Sequence, residues 1–426
     1  MLPKGWAKAD FEEIFDFKGG SQPPKSDFSS EKKHNYVRLL QIRDFESDEK
    51  AVYIKDLSKW PKCSAEDIMI GRYGASVGKI LSGKAGAYNV ALVKMIFDSN
   101  KIDRKWVKKF LESTHFQEPL KEISRSAQNG FNKNDVKKIH VLLPPLAEQR
   151  RIVAKLNSLT TRIARARAEL ERVRTLSFRA WKSVINQSFQ KFKCDNVPLK
   201  QIAQITGGLT KNTKRSSLPL QVPYLRVANV YANELRLSDV AEIGCSEKEY
   251  KKTKLERNDL LIVEGNGSID QVGRAARWNG EIDGCTHQNH LIRIRPYESM
   301  SSDFLLFFLE SSPGRKYIET SASSTSGLHT LSISKIGNFL CPLPSRLLQD
   351  ATVKYLNLCR DRLSKKRIEI DRALALLDRL EASLLANAFR GELVPQDPND
   401  EPASVLLDRI RAERAAAPKP KRRRKA

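Results

Sequence analysis

Between Ile152 and Val173 the apolar residues Ile152, Leu156, Leu159, Ile163, Ala166, Leu170 and Val173 recur at alternating spacings of four and three. That rhythm predicts a long helix with one apolar stripe, built to lie against another long helix. The prolines of "LPPLAEQRRIVAKL" (143–156) fix extended backbone immediately before it. A second stripe follows 200 residues later, through Leu356, Cys359, Leu363, Ile370, Ala373, Leu377, Leu380 and Leu384. Each helix spans about 43 residues, Ala147 to Phe189 and Leu347 to Phe389, or roughly 65 Å at the rise of an α-helix. Two helices with matched stripes most simply pair. Because the intervening chain must return, they are expected to run antiparallel.

The match between the two halves extends beyond the stripes. At a constant offset of 200, Pro144 aligns with Pro344, Gln149 with Gln349, Val153 with Val353, Leu156-Asn157 with Leu356-Asn357, and Phe189 with Phe389. The segments ahead of the helices repeat with small shifts. "FDFKGGSQ" pairs with "AQITGGLT", "NYVRLLQIRD" with "VPYLRVANVY", and "EDIMIGRYGASVGKI" with "NDLLIVEGNGSIDQVGRA". "DIMI", "DLLIV" and "NHLIRIRP" read as short strands, and "RKWVKKFLESTHF" and "SDFLLFFLESSPGRKYI" as helices.

The fold expected is mixed α/β (α+β): two globular domains separated by two long antiparallel coiled-coil helices, related by a pseudo-two-fold internal repeat. The boundaries are 1–146 for the first globular domain, 147–190 for the central helix, 191–346 for the second domain, 347–394 for the C-terminal helix, and 395–426 for the remainder. Within that remainder, "EPASVLLDRIRAERAAA" is an amphipathic helix candidate. Pro418 to Ala426 is a basic run without core-forming residues, expected to be disordered.

Charge narrows the function. With 75 Lys and Arg against 50 Asp and Glu, the 426-residue chain carries a formal +25, pointing to a polyanionic partner. The first long helix has ten basic residues against three acids and the second nine against six. The chain has no run of 18 apolar residues and its acidic opening stretch is unlike a signal peptide, so neither a membrane span nor export is expected. Six scattered cysteines, none in a Cys-x-x-Cys pair, fit a reducing cytoplasm.

Catalytic patterns are missing. "GASVGKI" has three residues between its glycines where a phosphate loop needs four, and Ile80 stands where a Ser or Thr would hold the metal. Glu31 and Lys33 lie in a polar loop, not at the end of a buried strand. Cys285, His287 and His290 in "CTHQNH" lack a second ligand cluster and read better as polar residues facing a ligand. The charge therefore stands without a catalytic engine, as in a recogniser.

On these motifs the chain resembles the DNA-specificity subunit of type I restriction–modification systems. "LPPLAEQRRIVAKL" and "AFRGELVPQDPNDEPASVLLDRIRAER" (388–414) carry the resemblance most specifically, supported by "LPKGW", "EDIMIGRYGASVGK" and "GFNKNDVKKIHVLLPP". It implies that each globular domain is a target-recognition domain reading half of a split sequence in double-stranded DNA. It also implies that the helices space the domains and dock two methyltransferase (modification) subunits, and that restriction/translocase subunits join them. This chain then holds no cofactor and has no catalysis of its own. S-adenosylmethionine belongs to the modification subunit, and ATP and Mg to the restriction subunit. The second proline motif, "CPLPSRLLQDATVKYL", lacks the acid and basic pair of the first, so the two docking surfaces are only approximately equivalent.

Matching motif loops supplies candidate DNA contacts. In the first domain they are Ser21, Lys25, Arg38, Arg43, Arg72, Tyr73, Ser76, Lys79, Gln128, Asn129 and Lys133. In the second they are Thr210, Lys211, Lys214, Arg226, Asn229, Asn266, Ser268, Arg274, His287, Gln288, Ser323 and His329. Arg38 and Arg226 sit in strand-like runs, where a structural salt bridge competes with a DNA role. The helix-pair and subunit interface is assigned to Ile152, Leu156, Leu159, Ile163, Leu170, Val173, Leu356, Leu363, Ile370, Leu377, Leu380, Leu384 and Phe389. The rival to this reading is a coiled-coil scaffold gripping DNA through charge alone, with no sequence preference. A weaker third is a nuclease with an unrecognised site. Unequal loops predict a non-palindromic site, with half-site centres about one helical turn, 34–36 Å, apart.

Overall fold

The computed structural model describes residues 2–126, 130–137, 139–325 and 327–416. The chain divides into two compact units: residues 1–168 with 373–426, and residues 169–372. The first long helix is Leu146–Gln190 and the second Arg346–Arg390, so each unit contains part of both. The expected mixed architecture with two long helices is what the structure has. No helix among the described residues is long and apolar enough to cross a membrane.

In the first unit, strands Asp16–Gly19, Leu92–Ile96, Met69–Gly71 and Ile80–Leu81 form an antiparallel sheet in that order. A second sheet orders Tyr53–Lys55, Tyr36–Leu40, Gly86–Tyr88 and Lys62–Cys63, with one parallel contact, Leu39 beside Ala87. The other unit repeats the plan. Ala203–Gly207, Leu291–Pro296, Leu260–Val263 and Ala275–Arg277 make one sheet, and Ala241–Cys245, Leu220–Leu225 and Thr286–His287 the other, again with a parallel contact, Tyr224 beside Thr286. A short ribbon leads into each long helix: Ala7–Asp10 against His140–Leu143, and Asn196–Pro198 against Leu340–Pro342.

The two segments read as single helices are each broken once. The breaks fall at Ser113, between Arg104–Glu112 and Thr114–Ser126, and at Ser311, between Ser302–Glu310 and Ser312–Ser321. Both serines are buried and turn their hydroxyls back onto a carbonyl, of Phe110 and Phe308, each at 2.6 Å. That local bond competes with continuation of the helix.

The glutamine of each proline motif explains why the motif recurs. Gln149 and Gln349 are fully buried. The Gln149 Oε1 accepts the Asp103 N–H at 2.9 Å and its Nε2 donates to the Pro144 carbonyl at 3.0 Å. The Gln349 Oε1 accepts the Ser301 N–H at 2.7 Å, and its Nε2 donates to the carbonyls of Ser299 and Pro344. Asp103 and Ser301 cap the helices that begin at Arg104 and Ser302. One side chain thus joins the start of each long helix to the cap of a helix in the globular part.

Phe389 and Phe189 anchor the other ends. Phe389 meets Trp106 and Phe110 at ring separations of 5.8 and 5.9 Å, in the first unit. Phe189 meets Phe304 and Phe308 at 5.1 and 5.2 Å, in the second. Gly391 follows the helix at φ +75°, where a Cβ would also strike Pro3. The helix candidate near the C-terminus is Ala403–Ala416; it buries Ala403, Leu406, Leu407 and Ile410 in the first unit's core.

The stripe residues divide by depth. Ile152, Leu156, Ile163, Leu356, Ile370 and Phe389 are buried, and Leu159, Leu170, Val173, Leu363, Leu377 and Leu384 are half-buried. Inside the first unit the helix parts run antiparallel: Phe389 lies in the globular core while Arg167 pairs with Asp378 at 2.7 Å and with Glu381 at 3.2 Å. Leu380 departs from its assignment to the helix pair. It is 47% exposed, because it lies at the edge of the stripe, about 80° around the helix from the buried Ile370.

Candidate nucleic-acid interface

The paired glycines begin the site. A Cβ on Gly20 would fall 1.9 Å from the Asn89 carbonyl oxygen, and one on Gly208 2.0 Å from that of His287. Only glycine lets these backbones close. The Ser21 N–H donates to the Tyr88 carbonyl, and the Leu209 N–H to that of His287. The Gly–Gly loop is thereby stitched to the turn after strand Gly86–Tyr88 or Thr286–His287.

A second loop joins in each unit. The Arg72 N–H donates to the Ala91 carbonyl at 2.9 Å, and the Glu264 N–H to the His290 carbonyl at 3.0 Å. The Arg72 Nε also reaches the Phe131 carbonyl, and its guanidinium lies 5.0 Å from the Tyr73 ring centre. In the second unit Asn266 stands opposite His329 in a ribbon whose outer strand is Ser323–Thr325. Gln288 accepts the Val227 N–H, and Arg274 donates to the Val227 carbonyl.

The structure therefore brings together Ser21, Arg72, Tyr73 and the segment from Gly130 in one unit. In the other it gathers Thr210, Asn266, Arg274, Gln288 and His329. The loop carrying Thr210, Lys211 and Lys214 is tied down by Arg215. Arg215 donates to the carbonyls of Thr210 and Gly244 and pairs with Glu249 at 2.8 Å. That guanidinium, helped by the Ser246 N–H, holds the Glu249 carboxyl down at about 2.

Several candidates are engaged internally. Arg38 pairs with Asp44 and Asp48, Arg226 with Asp239, Lys79 with Glu46 and Lys133 with Asp16. Lys25, Arg43, Lys211 and Lys214 are exposed and have no side-chain ion pair among the described residues. Ser268 is exposed and Ser76 half-buried. Gln128 and Asn129 lie outside the described residues, as does the basic run from Pro418.

Two candidates are corrected by their burial. Asn229 is 3% exposed; its side chain accepts the Arg226 N–H and donates to the carbonyls of Arg236 and Asp239, which closes a loop. His287 is fully buried with its Nδ1 on the Thr253 carbonyl, and burial pushes its pKa down to about 4. Its counterpart in the first unit is Tyr88, also fully buried. Its position belongs to the core because the whole Cys285–His287 stretch is buried, and Gln288, just after it, is half-buried.

One site residue was missed. The Asn89 N–H donates to the Leu40 carbonyl, as the Gln288 N–H does to Leu225, and the turn carbonyl of each accepts from the strand that follows. Asn89 is thus the counterpart of Gln288. Aligning "AYNVA" with "THQNH" would have exposed it.

Two globular units of one plan, each presenting clustered polar and basic loops, define a duplicated recognition protein. The sequence pattern described as the type I restriction modification DNA specificity domain matches residues 3–174. The StySPI specificity subunit of a type I restriction enzyme from Salmonella potsdam is 27% identical over 98% of this chain and 97% of its own length. The EcoKI specificity subunit of Escherichia coli K12 is 25% identical over the same shares. Among solved structures, a chain from a study of assembly and conformational transition in the type I R-M system superposes with a TM-score of 0.72 at 18% identity. It covers 92% of this chain and all of that one. The HsdS subunit of Thermoanaerobacter tengcongensis gives 0.57 at 19% identity over 92% and 98%. Residues 3–174 thus match the type I restriction modification DNA specificity domain, and nearly the whole chain is similar to specificity subunits of type I restriction enzymes.

Proposed function

We propose that this chain selects the DNA sequence on which a type I restriction–modification complex acts, by reading a bipartite, non-palindromic site. The observation that carries this is one frame with unlike side chains at equivalent places. The first unit has Arg72 where the second has Glu264, a cation against an anion, whereas Lys79 and Arg274, and Asn89 and Gln288, keep their type. Asn and Gln suit adenine edges, Arg and Lys suit guanine, and Glu suits cytosine. Lys25, Arg43, Lys211 and Lys214 lie free to meet phosphates, which fix register without reading sequence. A scaffold gripping by charge alone would not need two differently equipped loop sets.

Two modification subunits, carrying S-adenosylmethionine, dock on the helices, and restriction subunits supply ATP- and Mg-dependent translocation and cleavage. The decisive experiment co-expresses the chain with its cognate modification subunit and maps methylated adenines across the host genome by single-molecule sequencing. One split motif with a fixed gap is expected. A stable, active complex that leaves no motif would return the chain to the scaffold reading. Four residues inserted into one long helix should change the accepted gap and leave the half-site letters alone.

A further inference from the structure

Within the second unit one acid stands where a DNA-facing surface has least reason to keep one. Glu264 follows the fully buried strand Leu260–Val263, and its backbone is held from both sides. Its N–H donates to the His290 carbonyl at 3.0 Å, and its own carbonyl accepts the Leu331 N–H at 2.8 Å. The Oε2 of its half-buried carboxyl lies 3.1 Å from the Nδ1 of exposed His290. Its Oε1 has no hydrogen bond among the described residues. His290 ends the turn that carries Gln288, and Asn266, two residues beyond Glu264, stands opposite His329. Glu264 therefore lies among the polar loops gathered in this unit.

Phosphates repel a carboxylate, and a chain of net charge +25 gains nothing in backbone grip from an acid here. No Lys or Arg neutralises it among the described residues; its ion-pair partner is His290. The other acid of this loop, Asp270, lines a small cavity with Arg274 and Arg315 instead. In the first unit the matching place holds Arg72, whose N–H makes the equivalent bond to Ala91. The backbone frame is the same in both units, so the opposite charges at this one place serve what lies outside the frame.

We infer that Glu264 reads a cytosine in the half-site of the second unit, with His290 as its positioning residue. This deepens the functional reading above and rests on it. An ionised carboxylate only accepts hydrogen bonds. In the major groove guanine shows two acceptors, and thymine one acceptor and a methyl group, so either base leaves the carboxylate unpaired. Adenine offers its N6 amine but sets the N7 acceptor beside it. Cytosine offers its N4 amine with no acceptor of its own alongside. His290 occupies one carboxylate oxygen and leaves the other for that amine. Arg72, which only donates, suits guanine at the matching place of the other half-site.

The test maps methylated motifs for the unmodified chain and its variants, each co-expressed with the cognate modification subunit. One position of one half-site should be C for the unmodified chain. It should relax to C or A in Glu264→Gln, because an amide both donates and accepts and so pairs with adenine. It should lose its preference in Glu264→Ala, while the gap and every other letter stay. His290→Ala should loosen the same letter and no other, and His290→Asn, with an amide N–H in place of the ring Nδ1–H, should restore it. Duplexes carrying each base at that position, titrated with the purified complex, should favour C by about tenfold to a hundredfold, a preference that Glu264→Gln loses against A. This second readout serves for a variant that no longer methylates. Identical motifs from the unmodified chain, Glu264→Gln and Glu264→Ala overturn the inference, as do changes spread over both half-sites. If the unmodified chain gives no split motif, the functional reading fails instead.

Discussion

Replacing Gln349 by Leu would test whether one buried amide holds the second globular fold to its helix. Leucine keeps most of the volume and removes every hydrogen bond. The Ser301 N–H loses its acceptor, and the carbonyls of Ser299 and Pro344 lose their donor, at a site with no access to water. An unmet buried donor costs about 1–3 kcal/mol and each lost carbonyl bond about 1 kcal/mol, so the total should be about 3–5 kcal/mol. Gln149→Leu removes two bonds, not three, and should cost about 1 kcal/mol less. Gln349→Glu should be worse than leucine, because a carboxylate accepts from Ser301 but faces two carbonyls it cannot donate to. Hydrogen exchange followed by mass spectrometry on peptides covering 297–310, with urea unfolding of the whole chain, gives both the local and the global cost. A loss below about 1 kcal/mol with protection retained around Ser301 would refute the reasoning.

His287 makes stability depend on pH. Its folded pKa of about 4 lies below the 6.5 of an exposed imidazole, so the unfolded chain binds the extra proton between those values. The stabilisation is whole above pH 6.5 and falls by about 3 kcal/mol as pH drops toward 4; His287→Gln should remove that share of the slope in urea titrations, and an unchanged slope would contradict it. Lys211→Ala with Lys214→Ala should lower the salt dependence of DNA binding by up to about two phosphate contacts and leave the preferred sequence alone, as read by binding isotherms from low to high salt. Phe389→Ala should cost about 3–5 kcal/mol, with faster exchange in residues 104–126, and Phe189→Ala should do the same to residues 302–310.

Much of the protein follows from its one-dimensional pattern. The four-and-three stripe specifies long helices because an apolar row of that period can be hidden only against another helix. The offset of 200 residues specifies a duplication, since Pro144, Gln149 and Phe189 recur in step with Pro344, Gln349 and Phe389. Loop composition pointed to the segments that the fold gathers at the Gly–Gly turns, because Gly–Gly turns and polar runs have no place in a core. Depth was decided only by the tertiary structure. His287 and Gln288 are adjacent polar residues, yet packing buries the first completely, along with Cys285 and Thr286, and leaves the second half-buried. Leu380 fits the stripe by spacing, yet its place at the stripe's edge leaves it exposed. Pairing partners were also decided only by folding: Arg38 and Arg226, for which the sequence left a salt bridge open, pair with Asp48 and Asp239, while Lys211 and Lys214 have no ion pair among the described residues. A sequence records which side chains can bury, bond or bind; which of these each one does depends on neighbours that only folding brings within reach.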